Sequence, residues 1–241
     1  SAWFGIGLLE KRNDVADIAW GIGFVLASVV PLVIFGIKFD RALLVTLLVM
    51  FWGFRISSHI YKRNVGKKED KRYAVWREEW GRWFYIRSFL QVFMLQGALL
   101  IMVVSPVLII NTFRGGEITF FDYLGLAVWA LGFFFEVVGD SQLKKFLSDP
   151  MNRGEIMNKG LWQYTRHPNY FGEVTLWVGI FIIGLSVPYG ILGILGPITI
   201  ATLILKVSGI PLLEKSFVGR PDFEKYKKET NAFFPWFKKN Q

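Results

Sequence analysis

The sequence predicts an all-α integral membrane protein, a bundle of seven transmembrane helices whose first span is truncated at the start of the chain. Three observations carry this. Of the 241 residues 53% are hydrophobic and 17% aromatic, and the mean hydropathy is +0.38, too apolar for a water-soluble domain of this length. Apolar runs recur at the length of roughly 20 residues that a helix needs to cross a bilayer. Lys and Arg segregate to alternate connections.

The chain opens on Ser-Ala-Trp-Phe-Gly-Ile-Gly-Leu-Leu, already apolar and without Met, and residues 1–9 read as the last two turns of a further span. A short interfacial helix behind a leftover expression tag is the alternative. Six full spans follow at 15–37, 41–61, 87–112, 120–146, 172–187 and 190–208. Lys11 and Arg12, nine Lys/Arg in 62–87, five in 144–168 and eight from 206 onward share one side. The opposite connections hold Lys38, Arg41 and Arg114. The positive-inside rule therefore puts the N-terminus outside and the C-terminal tail in the cytoplasm. With no linker and no internal repeat, residues 1–241 read as one membrane-embedded domain. Its cytoplasmic segments, about 62–86, 140–173 and 206–241, collect the polar groups.

Composition removes several chemistries. Without cysteine there is no disulfide framework and no thiolate nucleophile. Two histidines, His59 and His167, outside any H-E-x-x-H spacing give no metal site, and no G-x-S-x-G elbow supports a serine hydrolase. The formal net charge of +9 flanks membrane spans, which points to anionic lipid headgroups and away from nucleic acid. Gly21-Ile-Gly-Phe-Val-Leu-Ala27 matches the dinucleotide fingerprint only formally, because it lies inside an apolar helix with no βαβ unit. Glycines there serve close helix packing.

Polar groups recur at several points along the apolar chain. Asp14, Asp17 and Trp20 share a helical face at the start of a span, where the carboxylates either sit at the interface as favourable N-terminal charges or, for Asp17, face a polar cavity. Arg55, within an apolar helix with His59 and Tyr61, either snorkels outward, holds an anion or pairs with Asp17. Residues 62–73 form a basic loop ending in Arg72-Tyr73, able to wrap phosphates. Trp76, Trp80 and Trp83 beyond it are spaced for an amphipathic interfacial helix. Glu136, Asp140 and Lys144 fall on one stripe. An i, i+4 ion pair accounts for the last two, whereas Glu136 lies a turn inside the apolar run. The segment Leu161-Trp-Gln-Tyr-Thr-Arg-His-Pro-Asn-Tyr-Phe-Gly-Glu173 is the densest of all. Pro168 ends any preceding helix and Asn169 can cap the next, so fresh amide donors open beside Arg166 and His167, where an anionic or amide-bearing ligand fits. The aromatic, proline-containing tail reads as an ordered cap, with Trp236 as an interfacial anchor.

Together Tyr164-Thr-Arg-His-Pro-Asn-Tyr-Phe-Gly-Glu173, Gly139-Asp140, Arg12-Asn-Asp-Val-Ala-Asp17-Ile-Ala-Trp-Gly21 and Gly209-Ile-Pro-Leu-Leu-Glu-Lys215 resemble the bacterial branch of the steroid 5α-reductase-like membrane proteins, over essentially the whole chain. The central motif is also similar to that of sterol reductases and, in a related form, of isoprenylcysteine carboxyl methyltransferases. The resemblance implies NADPH enclosed by the cytoplasmic half and an apolar pocket open to lipid. It implies Asn169 and Glu173 at the nicotinamide end and Asp140 as a further cofactor contact. It also implies Arg72, Tyr73, Glu136, Lys144, Arg153, Arg166, His167 and Tyr170 as surrounding cofactor-binding candidates. The animal enzymes' second-span Glu, which holds the substrate carbonyl, has only Asp17 as a counterpart, and Trp52 stands where their paired Tyr is expected.

The expected function is NADPH-dependent reduction of a C=C bond in a hydrophobic enone-like lipid such as a steroid. Asp17, Tyr61 and Glu173 are the catalytic candidates, and no metal takes part. The expected partners are a lipid-soluble small-molecule substrate and membrane lipids. The protein is expected to be a monomer in the bacterial inner membrane rather than the endoplasmic reticulum, with its site facing the cytoplasm. Two alternatives stand beside this: a membrane methyltransferase using S-adenosylmethionine, which shares the motif, and a catalytically silent lipid-binding scaffold. S-adenosylmethionine carries no phosphate and makes less use of three basic cytoplasmic segments.

Overall fold

A computed structural model describes residues 2–38, 40–114 and 116–238; the side chains of Lys71 and Arg72 lie outside that description. All regular structure among the described residues is helical. Among the described residues five helices are long and apolar enough to cross a membrane: Val15–Ile34, Arg41–Asn64, Tyr73–Val103, Phe120–Ser148 and Gly190–Lys215. These are the features of a multi-pass membrane protein. A sixth apolar helix, Pro168–Gly184, has 17 residues. The chain divides into two compact units.

The first unit comprises Ser1–Glu117 with Val187–Gly193. Helix α1 (Ala2–Glu10) is short and leads through Lys11, at φ +55°, into α2 (Val15–Ile34). Helix α3 (Arg41–Asn64) starts on Asp40, whose carboxylate accepts the Leu43 amide at 3.1 Å, and runs antiparallel to α2. The two approach at Gly21 and Gly53, where a Cβ on Gly53 would stand 2.7 Å from the Gly21 carbonyl oxygen. The hydroxyl of Ser57 donates to the Ile18 carbonyl at 2.9 Å. Gly21 thus has the packing role expected of it, and Trp52 beside it is fully buried against Phe24.

Helix α4 covers Lys71–Trp80 and carries Trp76 and Trp80. It continues through a 3₁₀ turn at Gly81–Trp83, α5 (Phe84–Arg87) and a π-helical stretch at Ser88–Met94 into α6 (Leu95–Val103). That helix ends at Val103, short of the expected 112. Pro106 has no amide to donate and its ring would press on the carbonyl one turn back, so α7 (Ser105–Thr112) starts anew. Arg114 then caps α2, donating to the Leu32 carbonyl at 3.3 Å and the Phe35 carbonyl at 3.4 Å.

The second unit comprises Ile118–Ser186 with Ile194–Gln241. Helix α8 (Phe120–Ser148) opens with a capping box in which the Thr119 amide donates to Asp122 at 2.7 Å and the Phe121 amide donates to the Thr119 hydroxyl at 3.2 Å. Helix α9 (Pro168–Gly184) returns antiparallel to it, with Pro168 at its first position, where no amide partner is needed. Gly125, Gly132 and Gly139 on α8 and Gly172 and Gly179 on α9 are seven residues apart, so they stay on one seam. A Cβ on Gly172 would lie 2.5 Å from the Glu136 amide nitrogen, and one on Gly125 would lie 2.5 Å from the Gly179 carbonyl oxygen. The helices are therefore in backbone contact along their length, with Leu176, Ile180 and Ile183 fully buried beside the seam. Helices α10 (Leu195–Thr202), α11 (Ile210–Lys215) and α12 (Pro221–Glu229) complete the unit, a π-helical stretch at Leu203–Val207 leading toward α11.

Candidate functional site

The glycine seam ends where the polar motif begins. Gly139 closes it, and a Cβ there would sit 3.1 Å from the Asn169 amide nitrogen. This brings the first turn of α9 against Asp140: the Asn169 side-chain amide donates to the Asp140 carboxylate at 3.1 Å. The Asn169 Oδ1 atom is buried and has no hydrogen-bond partner. Asp140 is 9% exposed, and Glu136, one turn earlier, is 2% exposed. Glu173, one turn after Asn169, is half-buried, and Lys144 is exposed. The structure thus unites Asp140 and Asn169 and leaves Lys144 at the surface.

Arg166 and His167 are held by the C-terminal part of the chain. Arg166 grips Glu214 with two nitrogens, Nε at 2.9 Å and Nη2 at 3.2 Å, while its Nη1 donates to the carbonyls of Thr230 and Lys227. The Nε2 of His167 lies 2.9 Å from the same Glu214 carboxylate, and the ring stacks on Tyr170 at 5.5 Å. The backbone joins in. The Arg166 amide donates to the Asn231 carbonyl at 2.9 Å, the Thr165 hydroxyl to the Phe233 carbonyl at 2.8 Å, and the Trp236 amide to the Tyr164 carbonyl at 2.9 Å. The Tyr226 hydroxyl donates to the Trp162 carbonyl, whose indole in turn donates to the Gly139 carbonyl at 3.1 Å. Burial pushes the Tyr226 phenol above its ordinary range. The tail is an ordered cap, as its aromatic content implied, with Trp236 exposed.

In the first unit the buried Tyr73 donates its hydroxyl to Asp17 at 3.0 Å and packs with Val15, Ala16, Val92 and Phe93. Two candidates distant in sequence thus meet. The buried Asp14 is held by Arg12 through two contacts of 2.6 Å, which raise the affinity of that guanidinium for its proton. Glu69 accepts the Asn13 amide at 2.6 Å and Arg77 at 3.1 Å, fastening the basic loop to the start of α2. Tyr61 is 55% exposed. Arg72 opens α4, but its side chain lies outside the described residues. Among the described residues no cluster of three or more His, Asp or Glu is arranged for a metal ion.

Glu214 stands in the Gly209–Lys215 motif that carries the resemblance, but sequence reasoning gave it no role in the site. Its signal was modest, one carboxylate ending an apolar segment, and its partners lie 47 and 48 residues away.

Comparison with known proteins places the chain. It is 22% identical over 208 residues to a Schizosaccharomyces pombe protein described only as uncharacterized protein C594.04c, a match that takes in 75% of this chain and spans 60% of that relative's length. No solved structure matches it. Over residues 3–230 the chain matches the family DUF1295, described as a protein of unknown function, and it belongs to that family, which is associated with the steroid 5α-reductase superfamily.

Proposed function

We propose that the protein is a membrane oxidoreductase that uses NADPH to reduce an activated C=C bond, as in an enone, in a hydrophobic lipid such as a steroid. The observation that carries this reading is the Asp140–Asn169 pair, with the Asn169 Oδ1 buried and unpaired at the first turn of α9. An unpaired buried acceptor costs about 1–3 kcal/mol, so the site favours a ligand that brings a donor, and the carboxamide N–H of a nicotinamide is such a donor. Asp140 holds the amide by its nitrogen and thereby keeps the oxygen turned to the ligand. Glu173, one turn further along α9, adds an acceptor for a ribose hydroxyl. When bound, NADPH supplies the hydride.

The family's association with the steroid 5α-reductase superfamily supports this choice of chemistry. The segregation of Lys and Arg supports a cofactor end that faces the cytoplasm, and the membrane of this proposal is the bacterial inner membrane. Purified protein in lipid nanodiscs, offered NADPH and a panel of steroid and quinone-like enones, is expected to oxidise NADPH with at least one of them. Methyl transfer from S-adenosylmethionine, with NADPH left unchanged across the panel, would replace the reductase reading by the methyltransferase one.

A further inference from the structure

The first turn of α9 has the position of an anion site, an open helix N-terminus beside an arginine and a histidine, yet both side chains are already engaged. All three nitrogen positions of the Arg166 guanidinium have protein partners, two on Glu214 and one on the Thr230 and Lys227 carbonyls. A carboxylate only accepts hydrogen bonds, so the Nε2 of His167, 2.9 Å from Glu214, must carry the proton of that contact. The hydrogen bonds of the His167 side chain among the described residues go to Nε2 and none to the other ring nitrogen, Nδ1, although the residue is 7% exposed. Two residues on, Asn169 Oδ1 is unpaired, and Asp140 stands beside it.

From this geometry we infer that Glu214 is a positioning residue of the site: by taking Nε2–H of His167 and the guanidinium of Arg166, it leaves the His167 and Asn169 side chains as acceptors for ligand hydroxyl and N–H groups rather than making the arginine and histidine a phosphate clamp. His167 Nδ1 and Asn169 Oδ1 are the paired acceptors, and the ligand portion that fits them is a hydroxyl- and amide-bearing one. The inference deepens the NADPH reading and assigns that end of the cofactor here, with its phosphates elsewhere. The carboxylate works as it does wherever an acidic group fixes the tautomer of a functional imidazole, by defining which nitrogen is left free.

The chain has two histidines, so nitrogen NMR of histidine-labelled protein reports on His167 against a single other residue, assigned with His59→Gln. In the ligand-free wild type, with the ring in its neutral form, His167 is expected to show a protonated Nε2 and an unprotonated Nδ1. Glu214→Ala is expected to mix the two tautomers, and Glu214→Gln, whose amide oxygen still accepts, to restore the single one. NADPH or nicotinamide mononucleotide should shift the Nδ1 signal, whereas inorganic pyrophosphate should not. A protonated Nδ1 on the neutral ring of the ligand-free wild type, or a pyrophosphate-driven shift equal to that of NADPH, would overturn the inference. The tautomer is read without ligand, so a protein that shows it but binds no NADPH refutes the cofactor assignment and leaves the role of Glu214 standing.

Discussion

At Asn169 the side-chain nitrogen is satisfied by Asp140 and the oxygen is not, so substitution there removes a donor to the buried Asp140 carboxylate together with the proposed ligand contact. Asn169→Ala is expected to weaken NADPH binding by roughly 10–100-fold, the loss of about 1.5–3 kcal/mol that accompanies a hydrogen bond involving a charged neighbour, measured by the ligand-induced rise in melting temperature. Asp140→Ala should act in the same direction by freeing the amide to rotate. Tyr226 gives a prediction of a different kind. Its phenol is pushed up by burial, so the folded protein keeps the proton that the unfolded chain releases. The stabilisation is complete below the ordinary phenol value of about 10 and is lost as pH rises above it, through the raised folded value. Thermal melts should show stability falling at alkaline pH, with a smaller fall in Tyr226→Phe. Asn169, Arg166 and His167 were legible in the sequence because polar side chains that dense beside an apolar run have few structural uses. Their partners were not, since nothing local to residues 164–173 announces Glu214 or the carbonyls of 227–233.

The seam between α8 and α9 is the element that sets where those residues stand. Because a Cβ on Gly172 would fall 2.5 Å from the Glu136 amide, Gly172→Ala must push the helices apart or shift their register. A loss of about 1–3 kcal/mol or more is expected, read as a fall in melting temperature and accompanied by weaker NADPH binding as Asp140 and Asn169 separate. Gly97→Ala, in α6 with no atom within 4 Å of the added methyl, is the control and should be close to neutral or slightly stabilising. The seven-residue spacing of these glycines stood in the sequence, but glycine also marks turns and loose packing, and only the antiparallel return of α9 makes the two rows face each other. Helix limits show the same division. The apolar runs identified the spans, whereas the joining of residues 73–86 to the following helix and its end at Val103 depend on a π-helical stretch and on Pro106.

For the whole molecule, the sequence carried the class through composition alone: five described helices are long and apolar enough to span a bilayer, where backbone groups must pair within the helix itself. Orientation rests on the placement of Lys and Arg and is open to direct test, since the chain has no cysteine of its own. Single cysteines at Lys68 and Lys145 are expected to react with a membrane-impermeant maleimide from the cytoplasmic side, and one at Lys38 from the opposite side; the reverse pattern would invert the topology. The division into two compact units, one holding the Asp17–Tyr73 pair and the other Asp140–Asn169, was not legible in a chain without a linker or composition shift. The central claim is that α8 and α9 present a cofactor site built on Asn169. Calorimetric titration of the purified wild type and Asn169→Ala with NADPH and with S-adenosylmethionine tests it most directly. The account predicts saturable NADPH binding in the wild type, weakened roughly 10–100-fold in the variant, and no heat from S-adenosylmethionine. Binding of S-adenosylmethionine alone, or equal NADPH affinity in both proteins, would contradict it.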